Sequence, residues 1–109
     1  MSKRSFNVSI TPYRALELVM NQQNADLVHE EYHPLGEGKE IGTQVYEKYY
    51  FRSKNRAALI VMIDNLRGVT NVRVVATGSS EGLIFNFDWG AADDFASSVE
   101  SILEEYIID

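Results

Sequence analysis

Both histidines of this chain fall in one pentapeptide, His29-Glu30-Glu31-Tyr32-His33. The string fits the H-E-x-x-H pattern, in which two imidazoles hold zinc and the first glutamate is the general base of a hydrolase. That chemistry has a geometric condition. On a helix the two residues stand about 6 Å apart, and both rings reach one zinc at about 2.1 Å. On a strand the same spacing separates the Cα atoms by about 13 Å. Pro34 follows at once and pushes His33 away from helical backbone, and Gly36 and Gly38 come next. A third ligand would have to be a carboxylate such as Glu40 or Glu47, and neither is expected on a helix facing the pair. Residues 25–33 are therefore predicted as a strand on which His29 and His33 share a face without sharing a metal. No metal and no cofactor is expected.

Two other strings imitate reactive loops. Gly78-Ser79-Ser80-Glu81-Gly82 matches G-x-S-x-G, but a nucleophile elbow needs a helix after its serine. Here LIFNF follows with a period of two, both histidines precede Ser80, and a glycine-bounded hairpin turn explains the residues better. Gly36 to Gly42, GEGKEIG, misses the dinucleotide spacing by one residue and leads into a strand, so no helix N-terminus awaits a phosphate. The aromatic set is more informative. Tyr32, Tyr46 and Tyr50 fall on the less apolar face of their strands, and Trp89 stands at the mouth of the last helix. These four are the candidate ligand-binding residues, phenol and indole handles lining a pocket under a helix. The alternative is that they are ordinary core and cross-strand pairs.

The elements that must position these residues follow from periodicity. Phe6, Val8 and Ile10 alternate as in a strand with one buried face. Thr11-Pro12 supplies an N-cap and a proline at the first helical position, and Leu16, Val19, Met20 and Gln23 keep helical spacing to about Asn24. Pro34 to Gly38 is predicted as a loop. From Ile41 to Arg52 the chain is rich in Tyr, Val and Phe, as a long strand would be, with Tyr46 and Tyr50 on one face and Val45, Tyr49 and Phe51 on the other. The run AALIVMID, residues 57–64, suits a strand better than a short buried helix. Val72 to Thr77 and the alternation of Leu83, Phe85 and Phe87 predict two more strands. Ala92, Phe95, Val99, Ile102, Leu103 and Tyr106 form the apolar stripe of a final helix. The fold class expected is α+β, a two-layer sandwich in which four or five further antiparallel strands follow the first strand and helix. A long C-terminal helix lies across one face, as in helix-grip and TATA-binding-protein-like folds.

Composition bounds what this frame does. At 109 residues the chain makes one domain, residues 1–109, that hides roughly 65% of its unfolded surface without staples. There is no cysteine, which excludes disulfides, thiol catalysis and thiolate metal sites. Residues 1–56 hold eight basic and seven acidic groups, and residues 57–109 hold two basic and nine acidic groups, giving the net charge of −6. An acidic chain repels a phosphate backbone, so no nucleic-acid partner is expected. The one basic cluster, Arg52, Lys54 and Arg56, reads as a solvated turn or a patch for an acidic partner. MSKRSFNVSI lacks the apolar core of a signal peptide, and the longest apolar run, Ala57 to Ile63, falls short of the roughly 18 residues that span a bilayer. A cytoplasmic protein without a membrane partner is the expectation.

Ile63-Asp64-Asn65-Leu66, Thr77-Gly78-Ser79-Ser80 and Phe87-Asp88-Trp89-Gly90-Ala91 carry a likeness over nearly the whole chain. In them the sequence resembles a family of small single-domain bacterial proteins, mostly Gram-positive, classed as a domain of unknown function. The resemblance implies a free-standing domain and brings no activity, cofactor or catalytic residue. The first functional expectation is a non-enzymatic module that binds a small apolar or amphipathic ligand between the sheet and the C-terminal helix. The alternative is a homodimer or partner-binding module using a sheet edge or the tyrosine-rich face. The remote alternative is a zinc hydrolase at His29, Glu30 and His33.

Overall fold

A computed structural model describes residues 2–51, 54–79 and 89–108. Strand β1 (Ser2–Val8) turns Phe6 and Val8 inward and ends at the start of helix α1 (Pro12–Gln22). The Thr11 hydroxyl accepts from the Arg14 N–H at 3.2 Å, and Pro12 takes the first helical position, where its missing N–H costs nothing. A second donor of the first turn is met from across the domain, because Glu40 accepts from the Tyr13 N–H at 3.0 Å. Ala15, Leu16, Leu18 and Val19 form the buried side of α1. Met20 and Tyr13 are exposed, since one residue turns the helix by about 100° and carries position 20 to the rim of the stripe.

Strands β2 (Asp26–Gly36) and β3 (Lys39–Tyr50) form a hairpin closed by two residues, Glu37 and Gly38, with φ of 56° and 79°. Positive φ at both central positions is the type I′ arrangement that matches strand twist. The loop expected from Pro34 to Gly38 is thus corrected to this tight turn, and Pro34 pairs within the strand opposite Glu40. Proline is tolerated there because β2 is an edge strand, whose outer groups need no ladder partner. The run AALIVMID lies in β4 (Asn55–Asp64), as its β-rich composition predicts, and β5 (Thr70–Ser79) returns beside it. Asn65 pins the connection: its Oδ1 accepts from the Glu40 N–H at 2.8 Å and its Nδ2 donates to the Gly38 carbonyl at 2.9 Å. The Gly78–Gly82 string opens inside β5 with Gly78 and Ser79. Residues 80–82, and the strand expected at Leu83, Phe85 and Phe87, lie outside the described residues.

Among the described residues the five strands are all antiparallel in the order β1-β5-β4-β3-β2, with β4 central and β2 and β1 outermost. Helix α2 (Trp89–Ile102) packs on β5 and β1, and α1 packs on β3 and β4. Ala92, Phe95, Val99 and Leu103 are buried as the stripe predicts, with Ala96 beside them. The helix stops at Ile102, and Tyr106 falls in a separate 3-10 turn, Glu104–Tyr106. Beyond it Ile107 bridges to Val8, and the Ile108 N–H donates to the Asn7 carbonyl at 3.0 Å, which covers part of the β1 edge. Arg4 fastens β1 to α2 by donating to Asp93 at 2.8 Å and Glu100 at 2.9 Å. Among the described residues the result is an α+β domain with a five-stranded antiparallel sheet and two helices, both packed against the same side of it.

Candidate functional site

HEEYH lies on β2, so its letters alternate between the two sides of the sheet. His29, Glu31 and His33 pair with Val45, Thr43 and Ile41 on the side away from the helices. Glu31 sits between the imidazoles, 2.7 Å from His29 Nε2 and 3.5 Å from His33 Nε2. Hydrogen bonds from His29 first, then His33, hold its carboxyl below the ordinary glutamate value. Glu30, the base in a zinc hydrolase, points to the opposite side and accepts from Gln44 Nε2 at 2.7 Å. Among the described residues no group of three or more histidine, cysteine or carboxylate side chains could hold a metal ion. The hydrolase alternative is corrected on that geometry: a strand divides His29 and His33 from Glu30.

The tyrosines expected to line one pocket occupy three surroundings. Tyr46 is fully buried and donates to Gln44 Oε1 at 2.7 Å. Burial first, then the nearby Glu30 charge, pushes its phenol up to about 12. Gln44 uses both ends of its amide, since its Nε2 also donates to the Leu16 carbonyl at 3.0 Å. That network assigns the amide orientation, because only the nitrogen can serve two acceptors. Tyr50 is half-buried, edge-on to Phe95 of α2 at 5.9 Å, with Lys48 Nζ 5.3 Å from its ring centre. Burial and then Asp94 raise its phenol above the ordinary tyrosine value. Tyr32 stands opposite Gly42 at the other end of β3 and donates to Glu40 at 3.1 Å. Desolvation, then the bond to Glu40, raises its phenol. From position 42 to position 50 a strand advances about 27 Å, so Tyr32 and Tyr50 cannot touch one small ligand. Trp89 begins α2, and its side chain lies outside what is described.

Two features of the surface stand out. Phe95, Ala96, Val99 and Leu103 are buried between α2 and the sheet, and an opening lies beneath α1. There, a crevice of about 140 Å3 is lined by Tyr13, Leu16, Glu17, Met20, Glu30 and Tyr32. The other feature is the side of the sheet that neither helix covers. Adjacent strands set His29, Val45, Ile60, Val75 and Lys3 in one row across it, and Glu31, Thr43, Met62, Arg73 and Ser5 in the next. Val45, Ile60, Met62 and Val75 are only half-buried there. Ion pairs flank them, Glu47–Arg56 at 3.0 Å and Asp64–Arg73 at 2.9 Å. Shallow hollows of about 660 and 390 Å3 open on this side near Asp64 and Asn71 and near Lys3 and Met62.

Sequence reasoning did not single out this open face, Gln44 or Glu31. A signal for the face was present in AALIVMID, where apolar residues follow one another without alternation. Such a run asks for cover on both sides of a strand.

Among the described residues these elements define an antiparallel α+β domain with one sheet face clothed by both helices and the other covered by neither. The chain belongs to a family of unknown function, DUF6054, which it matches over residues 1–107. No curated protein and no solved structure matches it. Among the described residues no helix is long and apolar enough to cross a membrane.

Proposed function

We propose that this domain is a non-enzymatic interaction module that pairs with a second copy of itself through the open face of the sheet. The observation that carries the reading is the half-buried apolar row Val45, Ile60 and Val75, with Met62 beside it, on a face that neither helix covers. Burying that row removes apolar area from water, which is the main drive for association. The edge of β2 is a poorer surface. It carries Pro34, charged residues and two register shifts, Leu27/His29 and Pro34/Gly36, and these are devices that discourage strand addition.

Charge selects the partner and its orientation. On the open face Asp26, Glu31 and the Arg56-paired Glu47 lie toward β2, whereas Lys3 and the Asp64-paired Arg73 lie toward β1, so Asp26, Glu31 and Lys3 carry most of the asymmetry. A two-fold axis running parallel to the central strand β4 places β2 of each copy over β1 of the other, acid over base. An axis running across the strands places like charge on like. Five strands at about 4.8 Å and a length of about 30 Å give roughly 700 Å2 per copy. Stable interfaces bury about 800 Å2 per partner, so the face is of adequate size. Two such sheets stack about 10 Å apart as a sandwich.

Sedimentation velocity over a concentration series tests the reading. The protein is expected to sediment as a dimer and Ile60→Lys as a folded monomer. A wild-type chain that stays monomeric at the highest concentration, or a variant that dimerises equally well, would sink it.

A further inference from the structure

The crevice between α1 and β2 is independent of the open face, because it opens on the opposite side of the sheet. We propose that it binds an alkylammonium group, a primary or methylated amine carried on a short apolar stem. Its walls divide into two kinds of surface. Tyr13 and Tyr32 meet edge to face, with ring centroids 5.3 Å apart and planes at 66°, and Leu16 and Met20 continue that apolar lining. Aromatic faces and a thioether beside a carboxylate suit a cation with a hydrocarbon stem, since the ring quadrupole attracts positive charge.

The acidic side of the crevice determines the sign of the ligand. Glu17 pairs with Arg14 at 2.8 Å and is already balanced. Glu30 is not balanced: among the described residues its carboxylate accepts only from the neutral Gln44 amide, at 2.7 Å. Gln44 is itself locked by Leu16 and Tyr46, so it holds the carboxylate in place without neutralising it. Glu40 lies behind Tyr32, engaged by the Tyr32 hydroxyl and the Tyr13 N–H, and adds negative potential without facing a cation of its own. An anion would meet the Glu30 carboxylate here with Glu40 close behind, and a neutral apolar molecule would leave Glu30 unused. The size also fits. A volume of about 140 Å3 is about the share of four or five water molecules, room for a chain of about five heavy atoms. The end of a lysine side chain and a free butylamine present the same chemistry.

Chemical-shift titration at low salt tests this with n-butylammonium, its neutral analogue n-butanol, and capped lysine (N-acetyl-lysine methylamide). Butylammonium is expected to move the Met20 methyl and the Tyr13 and Tyr32 ring signals saturably, at least tenfold more tightly than butanol. Glu30→Gln keeps an oxygen for Gln44 and removes the charge, so a tenfold or greater loss is expected without movement of the Tyr46 signals. Met20→Lys changes an exposed position and puts a tethered ammonium at the crevice, which is expected to abolish binding. Capped lysine binding like butylammonium marks a protein-borne ligand, and binding of the free amine alone marks a small molecule. Absence of saturable shifts, butanol binding as well as butylammonium, or Glu30→Gln titrating like the wild type overturns the proposal.

Discussion

The two faces of the sheet are built from the same strands and obey different rules. On the helix-covered face, β4 presents Ala57, Leu59, Val61 and Ile63, all buried, opposite Val72, Val74 and Ala76 of β5. Among the described residues Gln44 is a fully buried amide in that layer on β3, and its hydrogen-bonding groups are matched to Leu16, Glu30 and Tyr46. On the other face the same strand presents Ala58, Ile60, Met62 and Asp64, apolar at its centre and ion-paired at its end. A buried face is selected for packing, and its polar groups must be satisfied internally. A face that is apolar in the middle and charged at the rim is the composition of a protein interface. The contrast teaches that alternation alone does not locate function in this domain. The absence of alternation in AALIVMID marks the strand whose second face is also apolar.

Neighbouring residues offer the sharpest way to break that comparison. Leu59→Ala opens a cavity under the helices and is expected to cost about 2–5 kcal/mol in denaturant unfolding. Ile60→Ala, one residue along and on the bare side, is expected to cost the isolated monomer under about 1 kcal/mol while weakening self-association. Equal losses of monomer stability would erase the distinction between the faces.

A smaller loss is expected from Tyr46→Phe, which leaves the buried Gln44 oxygen without its donor, at about 1–3 kcal/mol. The same residue links the covered face to pH. Its phenol is raised to about 12 in the folded chain, so the neutral form is favoured by folding. That contribution is fully present below the ordinary tyrosine value and is lost as pH rises from about 10 to 12, of order 2–3 kcal/mol in all. Alkaline unfolding of the wild type should therefore be steeper than that of Tyr46→Phe, and parallel curves would contradict the buried assignment.

Gly42→Ala comes next. A Cβ there meets Leu16 Cδ1 and lies 3.2 Å from the Glu31 carbonyl, so α1 must shift or Leu16 must change rotamer, at about 1–3 kcal/mol. The smallest effect belongs to the open face. Glu31 is exposed and its carboxyl is lowered by His29 and His33, so its contribution exists above the ordinary glutamate value and fades as pH falls through the folded one. Glu31→Gln should lower stability at neutral pH only slightly, since an exposed pair is worth little, and a loss there as large as that of Tyr46→Phe would contradict its placement.

Much of this arrangement was legible from residue order. Thr11-Pro12 marks the start of α1, the β-rich run marks β4, and the stripe from Ala92 to Leu103 marks α2, because each follows from a local rule of capping or periodicity. Pro34 was misleading because its effect depends on whether a strand is central or at an edge, and topology decides that. HEEYH was legible as a strand from Pro34 and the spacing of its histidines. Its division into an outward His29, Glu31 and His33 and an inward Glu30 and Tyr32 also needed the register with β3. The tyrosine set was legible as one face but not as three surroundings, since shared parity places residues on a side without saying how far apart they stand. Gln44 gave no local signal, as its partners come from α1, β2 and β3.

Self-association through the bare face is the central claim, and the chain's lack of cysteine makes it directly testable by single-cysteine cross-linking. Met62→Cys lies on β4 in the middle of the open face, close to the proposed two-fold axis, and Met20→Cys lies on the exposed rim of α1. A short bismaleimide at dilute protein concentration should join two copies of Met62→Cys efficiently and leave Met20→Cys monomeric, although Met20 is the more exposed of the two. Equal cross-linking at both positions, or none at Met62→Cys, would contradict the account.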